Sequence, residues 1–207
     1  TKPKYAKSPH PIYEIFGNNI SKEIARHDLR LGNEKVILNF GLIRDYKGLD
    51  ILIEAAKTIK TQLNNFKILV VGEPYGDEEK YLKLAQKYKV NDVFDFRFEF
   101  IPNKKVNRYF CASDLVVLPY RSATQSGIVP IAYHFNKPVV VSNVGGLPEV
   151  VKIGKSGFVC EPDSKDLSKT IVNFFDDDRS NLNEYISTYK TTFSWSNYVK
   201  KMLELIK

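Results

Sequence analysis

Two cations stand where an apolar run gives way to a glycine and then to an amphipathic segment. In NFGLIRDYKGLDILIEA, Gly41 closes the apolar run, Arg44 and Lys47 follow, and Gly48 opens the next element. A glycine allows close approach to the backbone, a guanidinium offers a planar fork, and an ammonium offers a point charge. Two linked phosphates would suit that set. Solvated loop charges are the competing reading, and these residues alone leave both open.

Two later stretches bear on the choice. YRSATQSGIVP follows the apolar run DLVVLP. Its Ser122, Thr124, Gln125, Ser126 and Gly127 supply hydroxyls, an amide and the backbone N–H row of a helix start. Such a row can hold an anion without a base or a metal, although a plain capped helix start has the same composition. In SNVGGLPEVV, Gly145 and Gly146 make a tight turn before a short helix headed by Pro148 and Glu149. A purely structural turn there has at least as strong a claim as ligand contact. Each stretch is weak alone, but all three follow apolar runs and would fall on one sheet edge.

Other chemistries are disfavoured. The histidines are His10, His27 and His134, and the last reads as a packed helix residue rather than a base. There is no zinc-ligand spacing, no G-x-S-x-G elbow and no P-loop. GLIRDYKG sets Arg and Lys where a dinucleotide fingerprint needs glycines, which argues against NAD and against a nucleotide-sugar epimerase. The net charge of +7 is scattered. Lys152, Lys155, Lys165 and Lys169 sit among acids as an ordinary solvated face, so dedicated nucleic-acid binding is not expected. Cys111 and Cys160 read as small buried hydrophobes of a reducing, cytoplasmic compartment. No apolar run approaches the roughly 18 to 20 residues of a membrane span.

The elements that must position these loops alternate along the chain. VILNF (36–40), FKILVVG (66–72) and DLVVLPY (114–120) are continuous apolar runs, suited to strands buried on both faces. VFDFRFEF (93–100) alternates and reads as a strand nearer an edge. KPVVVSNVGG and SGFVCEPDS supply two more strands. Between them lie helices in GLDILIEAAKTIKTQL, GDEEKYLKLAQKYKV, NKKVNRYFCAS and QSGIVPIAYHFN, and after them one in KDLSKTIVNFFDDD, which SKD would cap. NEYISTYKTTFSWSNYVKKMLELIK reads as two terminal helices broken near Thr192. This order predicts one α/β domain: a doubly wound, mostly parallel Rossmann-like sheet with helices on both faces.

Taken in order, GLIRDYKGLDILIEA, KILVVGE, ASDLVVLPY and SGIVPIAYHFNKPVVVSNVGGLPEVVKIGKSGFVCEPDS resemble the C-terminal half of a group 1 (family 4) glycosyltransferase. The resemblance covers nearly the whole chain and implies one half of a GT-B fold, in which two Rossmann-like domains face each other. This half would hold the nucleotide-sugar donor. Residues 1–20 would be the linker from an N-terminal domain, 21–192 the donor-binding domain, and 193–207 a helix returning to that N-terminal domain. The resemblance assigns Gly41, Arg44 and Lys47 to the donor diphosphate. Thr124, Gln125, Ser126 and Gly127 fall to the donor sugar and phosphates, and the backbone around Ile101 to the base. It implies transfer of a sugar from a nucleoside-diphosphate sugar to an acceptor hydroxyl, with retention, no cofactor and no metal. The acceptor, a glycan or lipid-linked glycan, would bind through the other half, and peripheral contact with the inner membrane face is compatible with it. Many relatives carry two glutamates around the helix after Thr124, whereas ATQSGIVPIAYHFNKP carries no acid. No catalytic residue transfers, and a catalytically inactive glycosyltransferase-like binding module is the alternative.

Overall fold

A computed structural model describes residues 8–176 and 181–205 of the chain. Residues 1–7 of the expected linker, 177–178 of the expected DDD helix end and 206–207 of the last helix lie outside them. The described strands form one six-stranded sheet in the order β3-β2-β1-β4-β5-β6, and every neighbouring pair is parallel. They are β1 (Lys35–Phe40), β2 (Phe66–Val71), β3 (Phe94–Arg97), β4 (Leu115–Leu118), β5 (Val139–Ser142) and β6 (Gly157–Cys160).

Helices cover both faces, and alternate strand residues feed the two sides. Ile37, Ile68, Val70, Val117 and Val140 pack against α2 (Leu49–Gln62), α3 (Glu79–Lys87) and α6 (Ser164–Asp176). Val36, Leu38, Leu69, Val116 and Val141 pack against α1 (Lys22–Leu29), α4 (Asn103–Ala112), α5 (Ile128–His134) and Ile186 of α7 (Leu182–Tyr189). That two-sided burial is why the strands read as unbroken apolar runs. β3 is an edge strand, as its alternation suggests, and it stops at Arg97 because Glu99 N donates back to Arg97 O at 2.9 Å.

Two local expectations shift. Asp163 caps α6 rather than the SKD triplet: its Oδ1 accepts from Lys165 N and Asp166 N, both at 2.9 Å. The helix already begins at Ser164, so the acceptor must come from the residue before it. The helix read from QSGIVPIAYHFN begins only at Ile128, which leaves Gln125 and Ser126 in a loop. Pro130 is then the third helical residue, where its missing N–H costs no intrahelical bond.

The entry segment lies along the domain. Ile12, Phe16 and Ile20 pack against the α1/α4 side of the core, and Ile12 N donates to Phe193 O at 2.9 Å. A ring nitrogen of His134 bonds Gly17 O at 3.1 Å, so His134 is a docking residue for this segment. Beyond Phe193, Ser194 caps α8 (Trp195–Glu204), which buries none of its residues.

Candidate functional site

The sheet order reverses between β1 and β4, and the two strands part there. They pair only at Ile37↔Leu115 and Leu38↔Val116. One residue on, the buried Asn39 side chain bridges the gap, donating from Nδ2 to Val117 O at 3.0 Å. A crevice at such a reversal, outside the carboxyl ends of the strands, is where open α/β sheets hold ligands.

Gly41 leaves β1 at this crevice with φ +106°, a conformation suited to glycine. The exit of β2 touches it backbone to backbone, because a Cβ on Gly72 would lie 2.2 Å from Gly41 O. The two exits then run on as a short extended pair, with Ile43 N on Glu73 O at 2.9 Å and Tyr75 N on Ile43 O at 2.8 Å. The space a side chain at Gly41 would take is bordered by Lys47 Nζ at 3.4 Å and Ile128 Cδ1 at 3.2 Å. Lys47 therefore folds back over the strand end and meets the start of α5.

The charges of RDYK do not neutralise one another. Asp45 is drawn outward by Lys80 and Tyr81, and the Lys80 hydrogen bond holds its carboxyl below the ordinary range. Lys47 is half-buried, with Nζ 5.6 Å from the Tyr120 ring centroid. Burial first, and the nearby Arg44 guanidinium second, bring its ammonium down to about 8. Arg44 is exposed and lies 4.9 Å over the Tyr75 ring. Among the described residues neither cation has a carboxylate partner, so together they form a positive site that an anion would complete.

Arg121, at the exit of β4, braces this loop. Its backbone N donates to Tyr46 O at 2.7 Å and Nη1 to Asp45 O at 3.0 Å. The same guanidinium grips Asp50 of α2 through two bonds of 2.7 and 2.5 Å. Gly48 closes the turn with φ +67°, and a Cβ there would lie 1.9 Å from Pro119 O. Backbone and fork thus fix where Arg44 and Lys47 sit.

The loop expected to meet sugar and phosphates connects to the clamp through Tyr120. That ring is buried, and its hydroxyl, pushed up to about 12 by burial, lies 3.4 Å from Ser126 Oγ. Ser126 Oγ also accepts from Ile128 N at 3.2 Å, so one of the amides expected for an anion is already capped. Thr124, Gln125 and Gly127 are exposed. Gly145 and Gly146 pack on this loop, with Gly146 N donating to Thr124 O at 3.1 Å. Ile101 follows β3, two strands from β1, and its side chain enters the core, which leaves only backbone to face a ligand.

Sequence reasoning passed over Tyr75, Tyr120 and Arg121, and named Glu149 only as the head of a short helix. Glu149 lines a cleft of about 620 Å³ together with Gln125, Ser126 and Gly146, so an acid reaches the loop from a neighbouring turn. The visible signal was GGLPE, whose paired glycines announce a close backbone approach. Among the described residues no cluster of His, Cys, Asp and Glu could hold a metal ion, and no helix is long and apolar enough to cross a membrane.

Comparison with known proteins agrees with this architecture. The family model described as glycosyl transferases group 1 matches residues 21–193. A D-inositol 3-phosphate glycosyltransferase of Mycolicibacterium smegmatis is 29% identical over 192 residues, covering 88% of this chain and 42% of that protein. The chain spans about half the length of the curated relatives it matches. The C-terminal domain of a group 1 glycosyl transferase, LpcC, from Francisella tularensis superposes with a TM-score of 0.75 at 21% identity, covering 86% of this chain and 95% of that one. Anabaena Alr3699/HepE in complex with UDP and glucose gives 0.77 at 22% identity, over 94% of this chain and 55% of that one. At these identities the structures share the fold, one half of a GT-B architecture.

Proposed function

Because the chain belongs to the group 1 glycosyl transferases, we propose that it supplies the donor-binding half of an enzyme moving a sugar from a nucleoside-diphosphate sugar to an acceptor hydroxyl. The observation that carries this is the pair Arg44 and Lys47, without carboxylate partners, beside Gly41 at the sheet reversal. HepE, which shares the fold, is described with UDP and glucose bound, and the same ligand class fits this clamp. In the reaction the acceptor oxygen bonds to the anomeric carbon while the bond from that carbon to the diphosphate breaks. Negative charge then grows on the departing diphosphate. Lys47 and Arg44 stabilise it, and preorganised charges of this kind supply several kcal/mol of barrier lowering. Thr124, Gln125, Ser126 and Gly127 face the sugar and phosphate end, and the backbone at Ile101 faces the base.

The reaction is read as retaining and metal-independent, with acceptor glycan or lipid-linked glycan held by an N-terminal half. Residues 8–20 and α8 are the segments that join the two halves. α8 supports this with an exposed stripe of Trp195, Val199 and Leu203, spaced for one helix face. Such an enzyme would work in the cytoplasm, at the membrane face where its acceptor is lipid-linked.

Titration calorimetry with UDP, GDP and ADP tests the donor reading. Binding of at least one, lost in the Arg44→Ala, Lys47→Ala double variant, is expected. Absence of binding to all three, or equal binding by the variant, contradicts it. The acid-free stretch from Arg121 to Pro138 favours a second reading, a binding module that has lost transfer. Donor turnover by the full-length protein decides between the two.

A further inference from the structure

The 620 Å³ cleft beside the clamp has mixed polar chemistry, including Gln125, Ser126, Glu149, Lys152 and Tyr189. Glu149 is the one carboxylate among its described lining residues. It rides on a single 3-10 turn, Pro148–Val150, that is tied down at both ends. At the leading end the two glycines press onto the 123–125 backbone: a Cβ on Gly145 would lie 1.5 Å from Ala123 O, and one on Gly146 would lie 2.3 Å from Thr124 O. At the trailing end Val150 O accepts from Tyr133 OH at 3.1 Å and from Tyr189 OH at 3.2 Å. Tyr133 is itself held by Ser156 Oγ at 2.9 Å, and that same oxygen accepts from Lys152 N at 2.9 Å. Gln125 and Glu149 are therefore carried on one rigid unit, although the chain separates them by a helix and a strand.

This unit adjoins the clamp. Ser126 at its rim lies 3.4 Å from the Tyr120 hydroxyl, and the Tyr120 ring carries the Lys47 ammonium on its other contact. A ligand whose diphosphate rests on Lys47 would bring its next group into the cleft. A carboxylate can accept from two neighbouring hydroxyls at once, and an amide can both donate and accept. That pairing suits a ring bearing several hydroxyls, and the same lining also holds the cations Lys152 and Lys201.

We infer that Glu149, working with Gln125, reads the hydroxyls of the transferred sugar and sets which sugar the donor site prefers. The inference rests on the donor-binding reading above. Rigid mounting matters because discrimination between sugars differing at one hydroxyl requires acceptors that cannot follow a misplaced group.

The test compares affinities of UDP, UDP-glucose, UDP-N-acetylglucosamine, GDP and GDP-mannose for the parent chain, Glu149→Gln and Glu149→Ala. For whichever sugar nucleotide binds tighter than its own nucleoside diphosphate, Glu149→Ala should cost about tenfold, since a charged hydrogen bond is lost. Glu149→Gln should cost less, and both variants should bind the sugar-free diphosphate within about twofold of the parent. Equal loss of sugar-bearing and sugar-free ligands, no loss of either, or no sugar nucleotide exceeding its diphosphate overturns the inference while leaving the clamp standing. If no diphosphate binds the parent, the donor-binding reading itself fails, and this one with it. Glu149 is exposed, so both variants are expected to fold, and thermal unfolding of each variant beside the parent checks that before affinities are compared.

Discussion

The clamp lysine makes donor binding sensitive to pH in a range where an ordinary lysine is silent. Lys47 titrates at about 8 because it is half-buried beside Arg44. If only the ammonium form engages the diphosphate, apparent Kd scales as one plus the ratio of neutral to charged lysine. With a value of about 8 that factor is about 1.1 at pH 7 and about 11 at pH 9, whereas a lysine near 10.4 gives roughly 1.04 at pH 9. Nucleoside-diphosphate affinity should therefore fall about tenfold from pH 7 to pH 9. The ligand does not cause the fall, because terminal phosphates complete their last ionisation near pH 6 and gain charge as pH rises. Loss of fold does not cause it either. A lysine whose folded value lies below its unfolded value costs most stability below about 8 and is relieved as pH climbs toward the ordinary value, so this group burdens the folded chain less at pH 9 than at pH 7. The assay is calorimetric titration at pH 7, 8 and 9 in one ionic strength, with Lys47→Met as control. The control should bind more weakly at pH 7 and show a flat profile. A parent Kd constant within about twofold, or the same tenfold fall in Lys47→Met, refutes the assignment of Lys47 to the anion.

Arg121→Ala removes the fork on Asp50 and the bond to Asp45 O; these groups are part-exposed, so about 1 kcal/mol and a melting shift of roughly 2–4 °C are expected. With the brace gone, Lys47 gains solvent, and NMR titration of its side chain should show a value moving back toward the ordinary one. Gly145→Ala drives a Cβ to 1.5 Å from Ala123 O at a φ of +51°, so thermal unfolding should show a loss of about 3 kcal/mol or more. Gly127→Ala meets nothing within 4 Å and should leave the melting temperature within about 2 °C. Tyr133→Phe takes one of two partners each from Val150 O and Ser156 Oγ, which keep Tyr189 OH and Lys152 N, and should cost about 1 kcal/mol by denaturant titration.

The strands were legible because a parallel sheet covered on both faces leaves its mark as unbroken apolar runs, as in VILNF and DLVVLPY. The three glycine-bearing loops were legible as belonging to one edge because parallel strands all end there. What stayed hidden depends on contacts between residues distant in sequence. Arg121 meets Asp45 and Asp50 across more than seventy positions, and nothing local in YRSA announces a brace. Asn39 passes unnoticed inside a run read as continuously apolar, yet it spans the gap where β1 and β4 separate. Glu149 reads in the sequence only as the head of a short helix, with ligand contact left open, because the packing of its turn on the 123–125 loop, which carries the acid to Gln125, is not written in local spacing. The cap of α6 was misplaced by one residue because Asp163 and Ser164 both have suitable oxygens, and only the backbone decides which of them stands outside the helix.

The most direct measurement is amide chemical-shift mapping of the chain with UDP, GDP and ADP. The strongest binder is expected to perturb Gly41, Arg44, Lys47 and residues 124–127, and to leave Lys22, Arg26 and Asp114, paired at the amino ends of β1 and β4, unmoved. Perturbation centred on Lys22, Arg26 and Asp114, with Gly41 and Lys47 unshifted, would contradict it.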